Sequence, residues 1–343
     1  MNQSKERGGF SESVNIREMQ PGEYPRFLEL WKEAFGDERD AVDEFFAAFE
    51  GRNEEIVLID GSGVLQSALT LFEMGDLRCA EIFNINENCR DINRFGRFEV
   101  VVSYAICTSG KARGRGYGSM ITKYAAERVR KRGKISMLSP ASRELVDFYE
   151  PVGYKPLFRV RRGEACAAAP DCEAEMKLNA SSPVSGGIRI RKISAEDYGE
   201  RREAFLSGIP HIRLSAQALE YVRICSESFF EISARGRSAI FASEGLKGGV
   251  LGISELLPEQ APKNMAGGAA AYEAVLGEYA AAAAGALGAS SARYSAPAAR
   301  AECGETSSSR DLDAEYPVQA MIYMPDTTCD AEIFYPYFGF PFD

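Results

Sequence analysis

The sequence is short of histidine, of paired cysteines and of long apolar runs. His211 is the only histidine in 343 residues. That nearly excludes a histidine-rich metal site, a Ser-His-Asp triad or a Cys-His pair, so the chemistry is expected to rest on carboxylates, tyrosine, backbone amides or a cofactor. The eight cysteines are Cys79, Cys89, Cys107, Cys166, Cys172, Cys225, Cys303 and Cys329, none of them in a CxxC pair. Scattered in this way they fit reduced thiols in cytoplasm. The N-terminal MNQSKERGGF contains no apolar stretch of a secretory signal and reads as a loose tail. No apolar run approaches the roughly 20 residues needed to span a bilayer. A net charge of −10 argues against general nucleic-acid binding, and its sign would suit a cationic substrate.

What is present is ordinary for a globular protein: 45% hydrophobic and 26% charged residues, at a length that favours two domains. VNIREM (14–19) reads as a short strand. Phe27, Leu28, Leu30, Trp31 and Phe35 mark a helix, and 41–49 a second one. Strands are expected around 56–59 and 65–72, followed by polar sequence to about Arg97 that looks like a long loop. Phe98–Cys107 is an apolar run fit for a buried strand. Tyr117, Met120, Ile121, Tyr124, Ala125 and Val129 follow with the spacing of one buried helical face. Ile135–Leu138 reads as a strand and 142–149 as a helix. Residues 161–187, rich in Ala, Pro, Ser and Gly, read as a hairpin plus linker.

The second half echoes the first. Ile190-Arg191-Lys192-Ile193 followed by Asp197-Tyr198 matches Ile16-Arg17-Glu18-Met19 followed by Glu23-Tyr24. YEAVLGEYAA from Tyr272 matches YGSMITKYAA from Tyr117. Phe334-Tyr335 with Gly339-Phe340 echoes Phe148-Tyr149 with Gly153-Tyr154.

The chemistry centres on Arg113-Gly114-Arg115-Gly116-Tyr117-Gly118, between a strand and a helix. A helix N-terminus offers N–H groups without internal partners and a positive dipole end. Glycines let the backbone approach a pyrophosphate closely, and arginines add charged donors. A Rossmann loop would follow the first strand and have an acidic partner about 20 residues on; a P-loop would carry GKS or GKT. Neither is found here. A tight strand-to-helix turn with solvated arginines is the plainer alternative.

Arg113, Gly116 and Gly118 satisfy Arg-x-x-Gly-x-Gly, which resembles the acyl-CoA pyrophosphate loop of GNAT-type N-acetyltransferases. The preceding VVSYAICTSGKARGRGYG resembles that family's central strand, and Phe148-Tyr149-Glu150-Pro151-Val152-Gly153-Tyr154 its FYxxxGF/Y helix end. The resemblance covers 12–160 well and 188–343 faintly. It implies an α/β fold of mixed sheets flanked by helices, in two tandem domains: a tail (1–11), an acetyltransferase domain (12–175), a linker (176–187) and a degenerate copy (188–343). It implies acetyl transfer from acetyl-CoA to an amine, on a small molecule or a peptide, with no metal, nucleic acid or membrane as partner. An acyl or aminoacyl transferase acting on a peptide or antibiotic, and a CoA-binding regulatory module without turnover, are the competing readings.

By the same resemblance, backbone groups of Ile106, Cys107 and Thr108 would pair with the pantetheine arm, and amides of Arg113, Gly114, Arg115, Gly116, Tyr117, Gly118 and Ser119 would hold the pyrophosphate. Ser142 stands where the family often has a CoA-contacting asparagine. Tyr149 would protonate the departing thiolate, and a backbone N–H near Ile106 would steady the developing oxyanion. Packing is the other role open to Tyr149, although Phe148 is the more natural core residue. For the base, Glu81, Glu87, Glu99, the C-terminal carboxylate of Asp343 and water are all open. Cys107 is expected to be a buried strand cysteine, the basic cluster 128–134 a solvated helix end, and His211 structural. In the second half, Gly268, Ala271 and Glu273 fall opposite Arg113, Gly116 and Gly118. Glu273 puts a negative charge where a phosphate would sit, so this half is expected to lack a CoA site and to shape the acceptor pocket or mediate a homodimer.

Overall fold

The computed structural model describes residues 13–78, 97–167, 187–207, 209, 211–234, 236–259, 268–297 and 317–324. They form an α/β protein of mixed sheet and flanking helices. The chain divides into two compact units: one takes residues up to Phe72 together with Val102–Gly133, the other Glu73–Val101 and everything from Lys134.

In the first unit, β1 (Asn15–Glu18) pairs antiparallel with β2 (Asn53–Ile59), and β2 with β3 (Leu65–Arg78). β4 (Arg97–Thr108) lies beside β3. The alternation of β3 and β4 sends Phe72 and Tyr104 to one face, where they meet α1 (Tyr24–Phe35) and α2 (Arg39–Ala48). Trp31 and Phe45 pack edge-on or tilted on Tyr104 at 5.7 and 4.9 Å, and Phe45 and Phe49 close on Phe72 at 5.4 and 4.4 Å. Gly36, at φ +75, ends α1 in a left-handed turn. α3 (Tyr117–Lys131) buries Tyr117, Ile121, Ala125 and Val129 of the expected stripe, with Ala126 beside them, whereas Met120 is exposed and Tyr124 half-buried.

The β2–β3 hairpin is tied by one carboxylate. Asp60 Oδ1 accepts from Ser62 N, Ser62 Oγ and Val64 N at 3.0, 2.6 and 3.0 Å, and Oδ2 accepts from Gln66 Nε2 at 2.8 Å. The Ser62 hydroxyl, the Val64 amide and the Gln66 amide favour the ionised form and hold its pKa at about 2, below the ordinary 3.8. Because the folded value is the lower, this stabilisation is present above pH 3.8 and is lost as pH falls through about 2. Asp60→Asn should therefore lower the melting temperature at pH 7, with the gap from wild type closing towards pH 2. Equal gaps at both pH values would contradict this.

In the second unit, β5 (Ile135–Leu138) precedes α4 (Arg143–Tyr149) and the long β6 (Tyr154–Cys166). Then come β7 (Arg189–Ile193), α5 (Ala195–Phe205), β8 (His211–Leu214), α6 (Ala216–Cys225), β9 (Ser228–Ala234), β10 (Arg237–Lys247), β11 (Val250–Pro258), α7 (Gly268–Ala286), β12 (Ser291–Pro297) and β13 (Val318–Tyr323). The strand order is β5-β13-β6-β12-β11-β10-β9-β7, with β11–β12 the parallel pair. β8 pairs with the far end of β3, where Gly75 lies so close to the Arg213 carbonyl that a Cβ would sit 2.0 Å from it.

Neighbouring residues of β9 and β10 alternate between two cores. Phe230 and Phe241 pack with Tyr272, Leu276 and Tyr279 of α7, whereas Phe229 and Ile240 pack with Tyr198, Leu206 and Val222 from the α5–α6 side. The alanines of α7 form that first core: Ala280, Ala283 and Ala284 are fully buried, letting the helix approach the sheet closely.

Arg161–Cys166 are not hairpin or linker: they continue β6 and pair antiparallel with β12. Their small residues mark a packing contact, since Gly163 lies under the ring of Tyr294 and a Cβ there would meet it at 2.3 Å. β3 also runs six residues beyond the apolar segment, where Gly75 to Arg78 find a partner strand in β8. The matched segments at 16–19 and 190–193 fall on strands and those at Tyr117 and Tyr272 on helices; the Phe334-Tyr335 match and most of the expected linker lie outside the described residues. No helix among the described residues is long and apolar enough to cross a membrane.

Candidate active site

β4 carries the main irregularity of the first unit. Ala105 has φ +50, the only positive value at a non-glycine among the described residues. A left-handed residue costs an L-amino acid about 1–2 kcal/mol, and persists only where neighbours hold it. β3 supplies the anchors directly after it: Ser67 Oγ donates to the Cys107 carbonyl at 2.5 Å, Cys107 Sγ to the Ala68 carbonyl at 3.6 Å, and Ser109 N to the Gln66 carbonyl at 2.9 Å. Backbone groups alternate between a strand's two edges, so with Cys107 and Ser109 turned to β3, those of Ile106 and Thr108 face the other edge. Cys107 is thus held by β3. Its thiol is buried, and burial pushes its pKa up to about 12, as suits a packing residue and not a nucleophile.

After β4 the chain makes one short 3₁₀ turn, Gly110–Ala112, whose Gly110 amide donates to Glu33 Oε1 at 2.7 Å. Arg113 to Gly116 are exposed. Gly114 and Gly116 take φ +79 and +80, with open space where each side chain would stand. Gly116 is the N-cap of α3 and no side chain caps the helix, whose first internal bond runs from Met120 N to the Gly116 carbonyl at 3.0 Å. The positive dipole end is therefore exposed beside Arg113 and Arg115, an arrangement able to hold a phosphate.

At the other end of α3, Arg128 and Arg132 are engaged in ion pairs. Arg128 bonds to Glu18 and Glu54, and Arg132 to Glu54 at 2.7 Å. In the second unit, Lys134 bonds to Glu73 and Glu99 at 2.5 and 2.7 Å. Glu81, Glu87 and Asp343 lie outside the described residues.

In the second unit, Ser142 is the exposed N-cap of α4, and its hydroxyl bonds to Glu144. Tyr149 is the buried residue at the end of this helix, 7% exposed, whereas Phe148 is 39% exposed. The expected order is reversed because Val146 and Tyr149, three apart, share the inward face of a seven-residue helix. Burial, with the nearby Tyr154, raises the Tyr149 pKa and keeps the phenol protonated. Its ring packs edge-on against Phe148 and Tyr154.

No family model matches the chain, nor does any curated protein. Solved structures do. A probable N-acyltransferase from Enterococcus faecalis V583, described as a conserved protein of unknown function, superposes with TM-score 0.55 at 14% identity, over 92% of this chain and 73% of that one. GCN5-related N-acetyltransferases from Kribbella flavida (TM-score 0.54, 15% identity, 91% and 71% covered) and Anabaena variabilis (0.56, 10%, 90% and 72%) are similarly close. The chain has the GCN5-related N-acetyltransferase fold.

Glu273, near the start of α7, pairs with Arg161 of β6 at 3.1 Å. His211 is structural: buried, with Nδ1 against the Ile209 carbonyl at 2.7 Å and Nε2 against Glu203 at 3.3 Å. Sequence reasoning missed Ala105 and Ser67. An alanine within an apolar strand gives no sign of a positive φ. Ser67 left only a faint one, as a polar residue inside the buried run of β3.

Proposed function

We propose that this protein transfers the acetyl group of acetyl-CoA directly to a primary amine. The observation that carries the reading is the sequence of features in the first unit: a strand kinked at Ala105, two left-handed glycines, and an exposed, uncapped helix N-terminus flanked by arginines. Amides from Arg113 to Ser119 take the pyrophosphate. The edge of β4 turned away from β3, at Ile106 and Thr108, takes the pantetheine arm as a strand would take another strand. The amine nitrogen attacks the thioester carbonyl carbon, the C–S bond breaks, and Tyr149 gives its proton to the thiolate; the proton lost by the ammonium passes to water. Tyr149 owes this role to its place in the FYxxxGF/Y motif, and burial keeps its phenol protonated. Ser142, bonded to Glu144, contributes at most a peripheral contact.

The second half, 188–343, is on this reading a degenerate copy without a CoA site of its own, a view the Arg161–Glu273 pair supports. Release of free thiol from acetyl-CoA in the presence of primary amines tests the function. In that assay Tyr149→Phe should lower kcat by about tenfold to 100-fold, less than the fullest general-acid effects because a thiol of pKa near 8.5 leaves readily. CoA affinity should stay within about twofold, since a 0.4 kcal/mol change is all that represents. Unchanged turnover would remove Tyr149 from the mechanism.

A further inference from the structure

The hydroxyls of Ser67 and Thr108 form a chain whose proton directions are fixed by counting. Ser67 is fully buried and Thr108 half-buried. A serine hydroxyl has one proton. The Cys107 carbonyl can only accept, so the 2.5 Å contact uses the Ser67 proton. The 2.9 Å contact between Ser67 Oγ and Thr108 Oγ1 is then a bond donated by Thr108. With its only proton turned inward, Thr108 Oγ1 presents lone pairs alone to anything else it meets.

We infer that Ser67 holds the Thr108 side chain as a hydrogen-bond acceptor for an amide N–H of the pantetheine arm. The inference rests on the acetyl-CoA reading above. The arm carries two amide N–H donors, and Thr108 lies on the β4 segment proposed above to take it. Thr108 contacts the ligand; Ser67 is a positioning residue that acts through it.

The experiment is a titration of CoA and of 3′-phosphoadenosine 5′-diphosphate, which has the same phosphates without the arm, into wild type and variants. Thr108→Val should weaken CoA by about threefold to tenfold, the worth of one hydrogen bond, and leave the arm-less ligand unchanged. Thr108→Ser should bind CoA like wild type. Ser67→Ala should also weaken CoA, because the freed Thr108 proton can turn outward. Ser67→Ala with Thr108→Val should be no worse than Thr108→Val alone, the signature of two groups acting as one. Unchanged CoA affinity in Thr108→Val, equal loss for both ligands, or additive losses in the double variant would overturn the inference. Should Ser67→Ala fail to fold, the Thr108→Val and Thr108→Ser comparison decides alone. Wild type that binds neither ligand would sink the acetyl-CoA reading itself, a result distinct from CoA binding that ignores Thr108.

Discussion

Gly116→Glu should weaken CoA binding at least about 100-fold while leaving the protein folded. Gly116 stands at the N-cap of α3 with φ +80 and empty space around its would-be side chain. Any other residue there costs about 1–2 kcal/mol of backbone strain, which a domain of this size survives. The carboxylate is what should end binding. It lies where the pyrophosphate is proposed to sit, bonds to the same amides and repels the phosphates. Two unit charges 4 Å apart at an effective dielectric of about 20 repel by roughly 4 kcal/mol, and half of that, after screening, already approaches the expected loss. Gly116→Ala, carrying the strain alone, should lower the melting temperature and leave CoA affinity near that of wild type, and Gly116→Gln, which adds bulk without charge, should fall between Gly116→Ala and Gly116→Glu in affinity. Calorimetric titration beside a thermal melt separates binding from folding. CoA affinity unchanged in Gly116→Glu would mean that the loop does not hold the phosphates.

Glu255→Ala should destabilise the second unit by about 3–5 kcal/mol, the cost of stripping a buried ion of its partner. Glu255 is fully buried and Arg202 is 1% exposed. Arg202 Nε reaches both Glu255 oxygens at 3.1 Å, Tyr198 donates its hydroxyl to Glu255 at 2.5 Å, and a further Arg202 nitrogen donates to the Ile212 carbonyl at 2.7 Å. Removing the carboxylate leaves a buried guanidinium whose remaining acidic neighbour, Glu203, stands farther off, at 3.8 Å, and is partly exposed. Replacing both partners, as Arg202→Leu with Glu255→Leu, should recover much of the loss, since the desolvation penalty goes with the charges. Denaturant unfolding measures both. A Glu255→Ala loss under about 1 kcal/mol would show that water or a rearranged side chain compensates Arg202.

Much of the frame was legible because it rests on local chemistry. The β5 limits at Ile135 and Leu138 and the α3 start at Tyr117 follow from apolar runs and the glycines beside them. The loop, Arg113 to Gly118, needed only its neighbours. What escaped depends on partners far along the chain. Arg202 and Glu255 are 53 residues apart, and a buried ion pair leaves no periodic trace. Phe148 and Tyr149 exchanged places because in a helix of two turns adjacent aromatics are told apart only by what they pack against. Arg161–Cys166 read as hairpin and linker, not as part of a long strand, because the partner that extends β6, with Tyr294 over Gly163, comes from a strand 131 residues later.

The most direct measurement is thiol release from acetyl-CoA by the full-length protein across a panel of primary amines. The account predicts release that requires an amine, saturates in acetyl-CoA and disappears in Gly116→Glu. Tight CoA binding by wild type, with no release for any amine, would contradict an acetyltransferase and leave a CoA-binding protein without turnover.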